Sequence, residues 1–197
     1  GRGWEGQLGR DAQGDLFPVV VPGLPNIVEI SANVHASAAR TADGQVFVWG
    51  GRQQLNDGTW IGTTSPLLIP DLTGIADIEV SGTGVLAVDG DGQVHRWSFY
   101  GSSVGNAPDV VPGLTDIVDV SASAGGHFLA VDSDGVLHAW GNNTYGQLGD
   151  GTEIDRITPV TVPGLPDIVS AVAQGPYSLA LAADGTVYSW GAGNGGA

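Results

Sequence analysis

The stretch 135-GVLHAWGNNTYGQLGDGTEIDRITPVTVPGL-165 contains a glycine that completes an Asp-Gly turn and an apolar run ending at Trp140. A polar connection, a second extended run and a Pro-Gly turn follow. Asp-Gly suits a tight hairpin because Asp tolerates, and Gly readily adopts, positive φ. The stretch reads as one strand, a long connection and another strand. It is not unique in the chain. Trp49, Trp97, Trp140 and Trp190 are separated by 48, 43 and 50 residues, and Gly44, Gly92, Gly135 and Gly185 of the preceding Asp-Gly turns keep the same spacings. Pro22, Pro70, Pro112 and Pro163 recur at 48, 42 and 51 within VPGLPNI, IPDLTGI, VPGLTDI and VPGLPDI. Three independent markers therefore report four units.

Each unit predicts four short strands. One follows the Pro turn (27-IVEIS, 78-IEVS, 117-IVDVS, 168-IVSAV), a second precedes Asp-Gly, and a third ends at Trp. A fourth lies before the Pro motif, in 18-PVVV, 66-PLLI, 109-DVV and 159-PVTV. Four strands per unit predict a blade-like sheet. Val46, Val94, Leu137 and Val187 form one column of the third strand, and Phe47, His95, His138 and Tyr188 form the next. Apolar character on both faces fits sheets packed against other sheets. His95 and His138 are accordingly read as planar structural substitutes for Phe or Tyr.

The pattern WGxNxxGQLGxGT beginning at Trp140, with 168-IVSAV and 177-YSLALAADG after it, resembles the regulator of chromosome condensation 1 (RCC1) repeat family. The opening 1-GRGWEGQLG matches the same block without its Trp, 49-WGGRQQLNDGT is a diverged copy, and 97-WSFYGSSVGNAP departs most by lacking GQLG. The resemblance covers essentially the whole chain. It implies an all-β, RCC1-like β-propeller with four visible units in a single domain or fragment spanning 1–197, with final strands ending near 49, 97, 140 and 190. Part of a seven-bladed ring is expected, and a closed four-bladed propeller is the alternative. The start at Gly1, without Met or a targeting segment, fits an excised or incomplete sequence. Another chain or further repeats would then complete the ring, or Val19–Val21 would join the last unit near Val187.

The 197 residues include 33 Gly, yet 42% are hydrophobic, too many for a disordered linker. No run of 18 apolar residues indicates a membrane-spanning helix. Six Arg, no Lys and 21 acidic residues give a net charge of -15. That charge opposes nucleic acid and anionic membrane surfaces. It fits a solvated surface, with an extracellular or high-salt setting as one expectation. The absence of Cys excludes disulfides and thiolate chemistry.

Motifs for chemistry are sparse: the chain has no Walker loop, dinucleotide fingerprint, HExxH pair or GxSxG elbow. His127, in 125-GGHFLA, is expected to make a local hydrogen bond. No cofactor is expected. The acid pairs Asp89 and Asp91, Asp132 and Asp134, and the set Asp150, Glu153 and Asp155 are weak calcium candidates, because calcium needs several convergent oxygens and none fits an EF-hand loop. The unequal connections after the Trp strands carry more functional weight, since a regular scaffold displays such loops without changing its core. Trp4, Arg52, Trp60, Phe99, Tyr100, Tyr145 and Arg156 are the candidate partner contacts. The expected function is a non-enzymatic protein-binding scaffold. Alternatives are a guanine-nucleotide exchange factor-like regulator, as the resemblance implies, or a lyase or hydrolase with a central acidic depression.

Overall fold

The computed structural model describes residues 6–10, 16–54, 60–98 and 108–193, and their side chains except those of 52–54 and 60–62. Among the described residues are fifteen strands and no helix. The first sheet contains β1 (Ile27–Ala32), β2 (Ala36–Thr41), β3 (Val46–Gln54) and β4 (Trp60–Leu68), in that order. The second contains β5 (Ile75–Val80), β6 (Gly84–Asp89), β7 (Val94–Ser98) and the two-residue β8 (Asp109–Val110). The third contains β9 (Ile117–Ala122), β10 (His127–Asp132), β11 (Leu137–Gly141) and β12 (Arg156–Thr161). The fourth has three strands, β13 (Ile168–Gln174), β14 (Tyr177–Ala182) and β15 (Val187–Gly191). The chain divides into two compact units, Gly1–Asp89 with His95–Asp109, and Gly90–Val94 with Val110–Ala197.

The repeated markers occupy equivalent places. Every repeat Trp lies in the third strand of its sheet. Trp49, Trp97 and Trp140 are buried, and Trp190 is partly buried against the second unit's core. Sheet-on-sheet packing follows from apolar residues on both faces. In the first unit Val46, Val48 and Ile69 share a cluster with Ile75, Ile78, Val80 and Trp97. In the second, Leu129, Val131 and Leu137 share one with Ile168, Ala171 and Ala180. Asp71 stands where the other units have Gly23, Gly113 and Gly164, and it adopts their left-handed conformation (φ 58°), which Asp tolerates better than most side chains.

One predicted strand is not formed. Among the described residues, 18–21 lie in no strand, and the sheet of β13, β14 and β15 has three members. Extended, apolar sequence alone does not make a strand; its backbone groups need a hydrogen-bonded neighbour. The corresponding segments of the other three units pair as β4, β8 and β12.

The Asp-Gly turns reverse the chain and also receive the start of the next sheet. Ile75 N donates to Gly44 O at 3.3 Å, Ile117 N to Gly92 O at 3.0 Å, and Ile168 N to Gly135 O at 2.9 Å. A Cβ on Gly44 would lie 2.4 Å from Ile75 N, and one on Gly92 would lie 2.6 Å from Asp116 Cα, whereas one on Gly185 would meet nothing within 4 Å. All three glycines have positive φ, so the cost of a left-handed Ala, about 1 to 2 kcal/mol, is common to them. Gly44→Ala and Gly92→Ala are therefore expected to lower stability well beyond Gly185→Ala in urea unfolding. Equal losses at the three positions would show that the backbone approach contributes nothing. In the same assay, Trp→Ala at 49, 97 or 140 is expected to cost about 3 to 5 kcal/mol through lost packing and a residual cavity.

Candidate functional site

The best-defined connection after a Trp strand runs from β11 to β12, and it is built around Asn143. This side chain is fully buried. Its Oδ1 accepts from Leu148 N at 2.9 Å. Its Nδ2 donates to Asp150 Oδ1 at 3.1 Å and to the carbonyls of Thr152 and Ile154 at 3.0 and 3.1 Å. The amide of Asn143 donates to Asp155 Oδ1 at 2.7 Å. Asp150 closes the far side of the loop. Its Oδ1 accepts from Thr152 N and Thr152 Oγ1, and Arg156 Nε donates to its Oδ2 at 2.7 Å. Burial of the carboxylate opposes its ionisation, but the hydrogen bonds from Thr152 and Arg156 outweigh that, lowering its pKa to about 2.

Gln147 fastens this loop to the following sheet. Its side chain holds the loop itself, with Oε1 accepting from Tyr145 N and Nε2 donating to Asn142 Oδ1, both at 2.8 Å. Its backbone carbonyl accepts from Ser178 Oγ and from Trp190 Nε1, both at 2.8 Å. Gly149 is required beside it, since a Cβ there would lie 2.7 Å from the indole Nε1. The first unit repeats the device: Gln7 O accepts from Ser37 Oγ at 3.1 Å and Trp49 Nε1 at 3.0 Å. Trp140 instead stacks on Phe128, with ring centroids 5.4 Å apart, and its Nε1 has no partner among the described residues.

On this fixed frame Tyr145 and Ile154 are 53% and 63% exposed. Arg156 begins β12, and its guanidinium is engaged by Asp150, so it braces the loop. Arg52 lies in β3, and Trp60 opens β4 paired with Gln54, but their side chains are outside the described residues. Trp4, Phe99 and Tyr100 also fall outside them.

The acidic candidates do not converge. Among the described residues no three His, Asp or Glu form a group suited to a metal ion. Asp89 and Asp132 meet His95 and His138 at 2.7 and 2.9 Å, so those imidazoles are bonded to their own hairpins as well as filling an aromatic column. Burial works against ionisation of Asp132, but bonds from His138 and from the amides of Val136 and Asp134 prevail and lower its pKa. Asp91, Asp134, Glu153 and Asp155 are exposed.

Two features escaped the sequence reading. The first is a set of acceptors on the opening strand of a sheet, aimed at the opening strand of the next. Glu29 Oε1 and Ser31 Oγ accept from the amides of Ile78 and Val80; Asp119 Oδ2 and Ser121 Oγ accept from those of Ala171 and Ala173. The alternation in 29-EISAN and 119-DVSAS is its signal. The second is His127, whose bond is not local. Its Nε2 lies 3.0 Å from Ser178 Oγ, 51 residues away on β14. Because that hydroxyl donates to Gln147 O, it accepts from the imidazole, and a histidine-to-glutamine-carbonyl chain is completed.

The comparisons with known proteins agree with this geometry. The RCC1 repeat model matches residues 134–181, and a second RCC1 repeat model matches 117–147. The ultraviolet-B receptor UVR8 of Arabidopsis thaliana is 30% identical over 100% of this chain and 49% of its own length. Human E3 ubiquitin-protein ligase HERC2 is 30% identical over 96% of this chain and 3% of its own. The chain thus spans about half of UVR8 and a small part of HERC2. Among solved structures, human WBSCR16 superposes with a TM-score of 0.80 at 22% identity, over 97% of this chain and 55% of that one. Yeast RCC1 bound to Kap60 gives 0.69 at 20% identity, over 86% and 45%. The chain is an RCC1-like repeat protein with the all-β fold of the RCC1 propellers.

His127 is fully buried, and that burial lowers its pKa from the ordinary 6.5 to about 4, against a weaker raising contribution from the Tyr177 backbone. The unfolded imidazole takes up its proton near pH 6.5, the folded one only near 4. Between those values the unfolded chain binds more protons, so stability falls as pH drops through this window. His127→Gln is expected to remove that part of the pH dependence in urea titrations at pH 7, 5.5 and 4. An unchanged slope would show that His127 is not its source.

Proposed function

We propose that this chain is a protein-binding scaffold whose partner contacts lie on the connections after the Trp-ending strands. The observation that carries this reading is the β11–β12 loop. Asn143, Gln147 and Asp150 are bonded within the loop, and the Gln147 carbonyl to β14 and β15, while Tyr145 and Ile154 are held outward. A loop already fixed in its bound shape loses little conformational entropy on association, and an exposed aromatic on such a frame is a suitable anchor. Arg52, Trp60, Trp4, Phe99 and Tyr100 are further candidate contacts by their sequence alone, and Arg156 braces the β11–β12 loop through Asp150. Yeast RCC1, a protein of the same fold, is seen bound to Kap60, which supports protein contact as a use of this architecture without indicating the partner here.

The test is capture of partners from the native source by the tagged chain, comparing it with a Tyr145→Ala/Ile154→Ser variant of unchanged circular dichroism and melting temperature. A specific partner is expected to bind the variant at least about tenfold more weakly, as two hot-spot contacts would require. Retention of that partner by the variant, with loss on altering the Asp-Gly turn at 133–135, would place the interaction on the other end of the sheet.

A further inference from the structure

The last strands of the first three sheets end alike. The amides of Ile69, Val111 and Val162 donate to the carbonyls of Val46, Val94 and Leu137 on the adjoining third strands, at 2.9, 2.8 and 2.9 Å. Successive amides of an extended strand point to opposite sides, so those of Leu67, Asp109 and Val160 face the sheet as well. The intervening positions face away from it. They read Pro66, Leu68, Pro70 in the first sheet, Pro108, Val110, Pro112 in the second and Pro159, Thr161, Pro163 in the third. β4, β8 and β12 each have one hydrogen-bonded neighbour among the described residues. Each outer edge therefore offers one amide between two prolines, which have no N–H.

The second proline of each trio opens the turn to the next sheet, where its fixed φ is useful. The first makes no such turn. Pro66 and Pro159 lie within β4 and β12, and Pro108 immediately precedes β8. Register with the third strand is also irregular around two of them. Val48 and Gly50 oppose Leu67 and Thr63, and Ala139 and Gly141 oppose Val160 and Arg156. Proline and a bulge both spoil an edge for pairing. These strands carry the hazard that such devices suppress. Leu67, Leu68, Val110 and Ile157 are exposed, Ile157 at 95%, and 63-TTSPLLI-69 and 157-ITPVTV-162 contain no charged residue. Without their prolines both segments would be apolar, β-prone and uncharged, a composition that pairs edge to edge.

We propose that Pro66, Pro108 and Pro159 are edge guards, which keep copies of this chain from pairing through the outer strands of these sheets. A ladder needs a donor at every second residue of the edge, and here the donor is missing on both sides of Leu68, Val110 and Thr161. The guard is repeated because every sheet exposes the same edge. The inference does not rest on the loop after β11.

The test restores the missing donors without adding apolar surface. Pro66→Thr/Pro159→Thr is compared with the parent chain and with Pro25→Thr/Pro166→Thr, whose prolines are exposed in the turns before β1 and β13. Only the edge variant is expected to raise its weight-average mass in sedimentation equilibrium above that of the parent at equal concentration, by about twofold or more as pairing of copies requires. Hydrogen exchange in peptides spanning 63–69 and 157–162 is expected to slow as its concentration is raised, which association elsewhere on the chain would leave unchanged. The single variants Pro66→Thr and Pro159→Thr serve where the double variant fails to fold. Edge variants that keep the circular dichroism and the mass of the parent overturn the proposal. Equal association of the turn variant, or association without slower exchange at 63–69 or 157–162, overturns it too.

Discussion

A single backbone carbonyl, that of Gln147, receives the hydroxyl of Ser178 and the indole N–H of Trp190. Both of its lone pairs are used. The loop leaving one sheet is thereby tied to the middle and third strands of the next, and Gln7 ties its own loop to Ser37 and Trp49 in the same way. Since the acceptor belongs to the main chain, the sequence requirement is for a loop path. Glycine at 149 leaves room for the indole, and the Gln147 side chain and buried Asn143 hold the turn in shape. A small β-sheet cannot satisfy and bury everything it carries alone, and this carbonyl is where the next sheet becomes part of the solution.

The same logic changes how the charge is read. An excess of acids was expected to serve solvation, and exposed residues such as Glu153 and Asp167 fit that expectation. Glu29 and Asp119 do something else. Their carboxylates accept from backbone amides of the neighbouring sheet, while Asp89 and Asp132 hold imidazoles on their own hairpins. Part of the acidity is therefore internal fastening. A charged acceptor strengthens such a bond relative to a neutral one.

The fold was legible in the sequence wherever the physics is local. Asp-Gly fixes a turn by its own dihedral preferences, and Trp at a constant five residues after Gly marks the same strand each time. Partnership across sheets was not legible. His127 reads as a turn histidine because nothing near it in sequence names Ser178, and 18-PVVV reads as a strand because its composition cannot say whether an edge is available. The loop after Trp140 stands out in the sequence by its length and polarity. Its aromatic and arginine candidates divide: Tyr145 is exposed, while Arg156 bonds to Asp150, whose other carboxylate oxygen accepts from the buried Asn143.

The stretch matched by the RCC1 repeat model, 134–181, begins in the hairpin between β10 and β11 and ends in β14. As a stretch of sequence it holds the outer half of one sheet, the loop with Gln147, and the inner strands of the next. What such a chain inherits when a repeat is duplicated is consequently a joint, not a sheet. Copying it carries the Gln147 carbonyl together with Ser178, one of its two donors, while Trp190, the other, lies beyond 181. A duplication taken in the frame of the sheets would carry all four strands and leave the fastening divided between its ends.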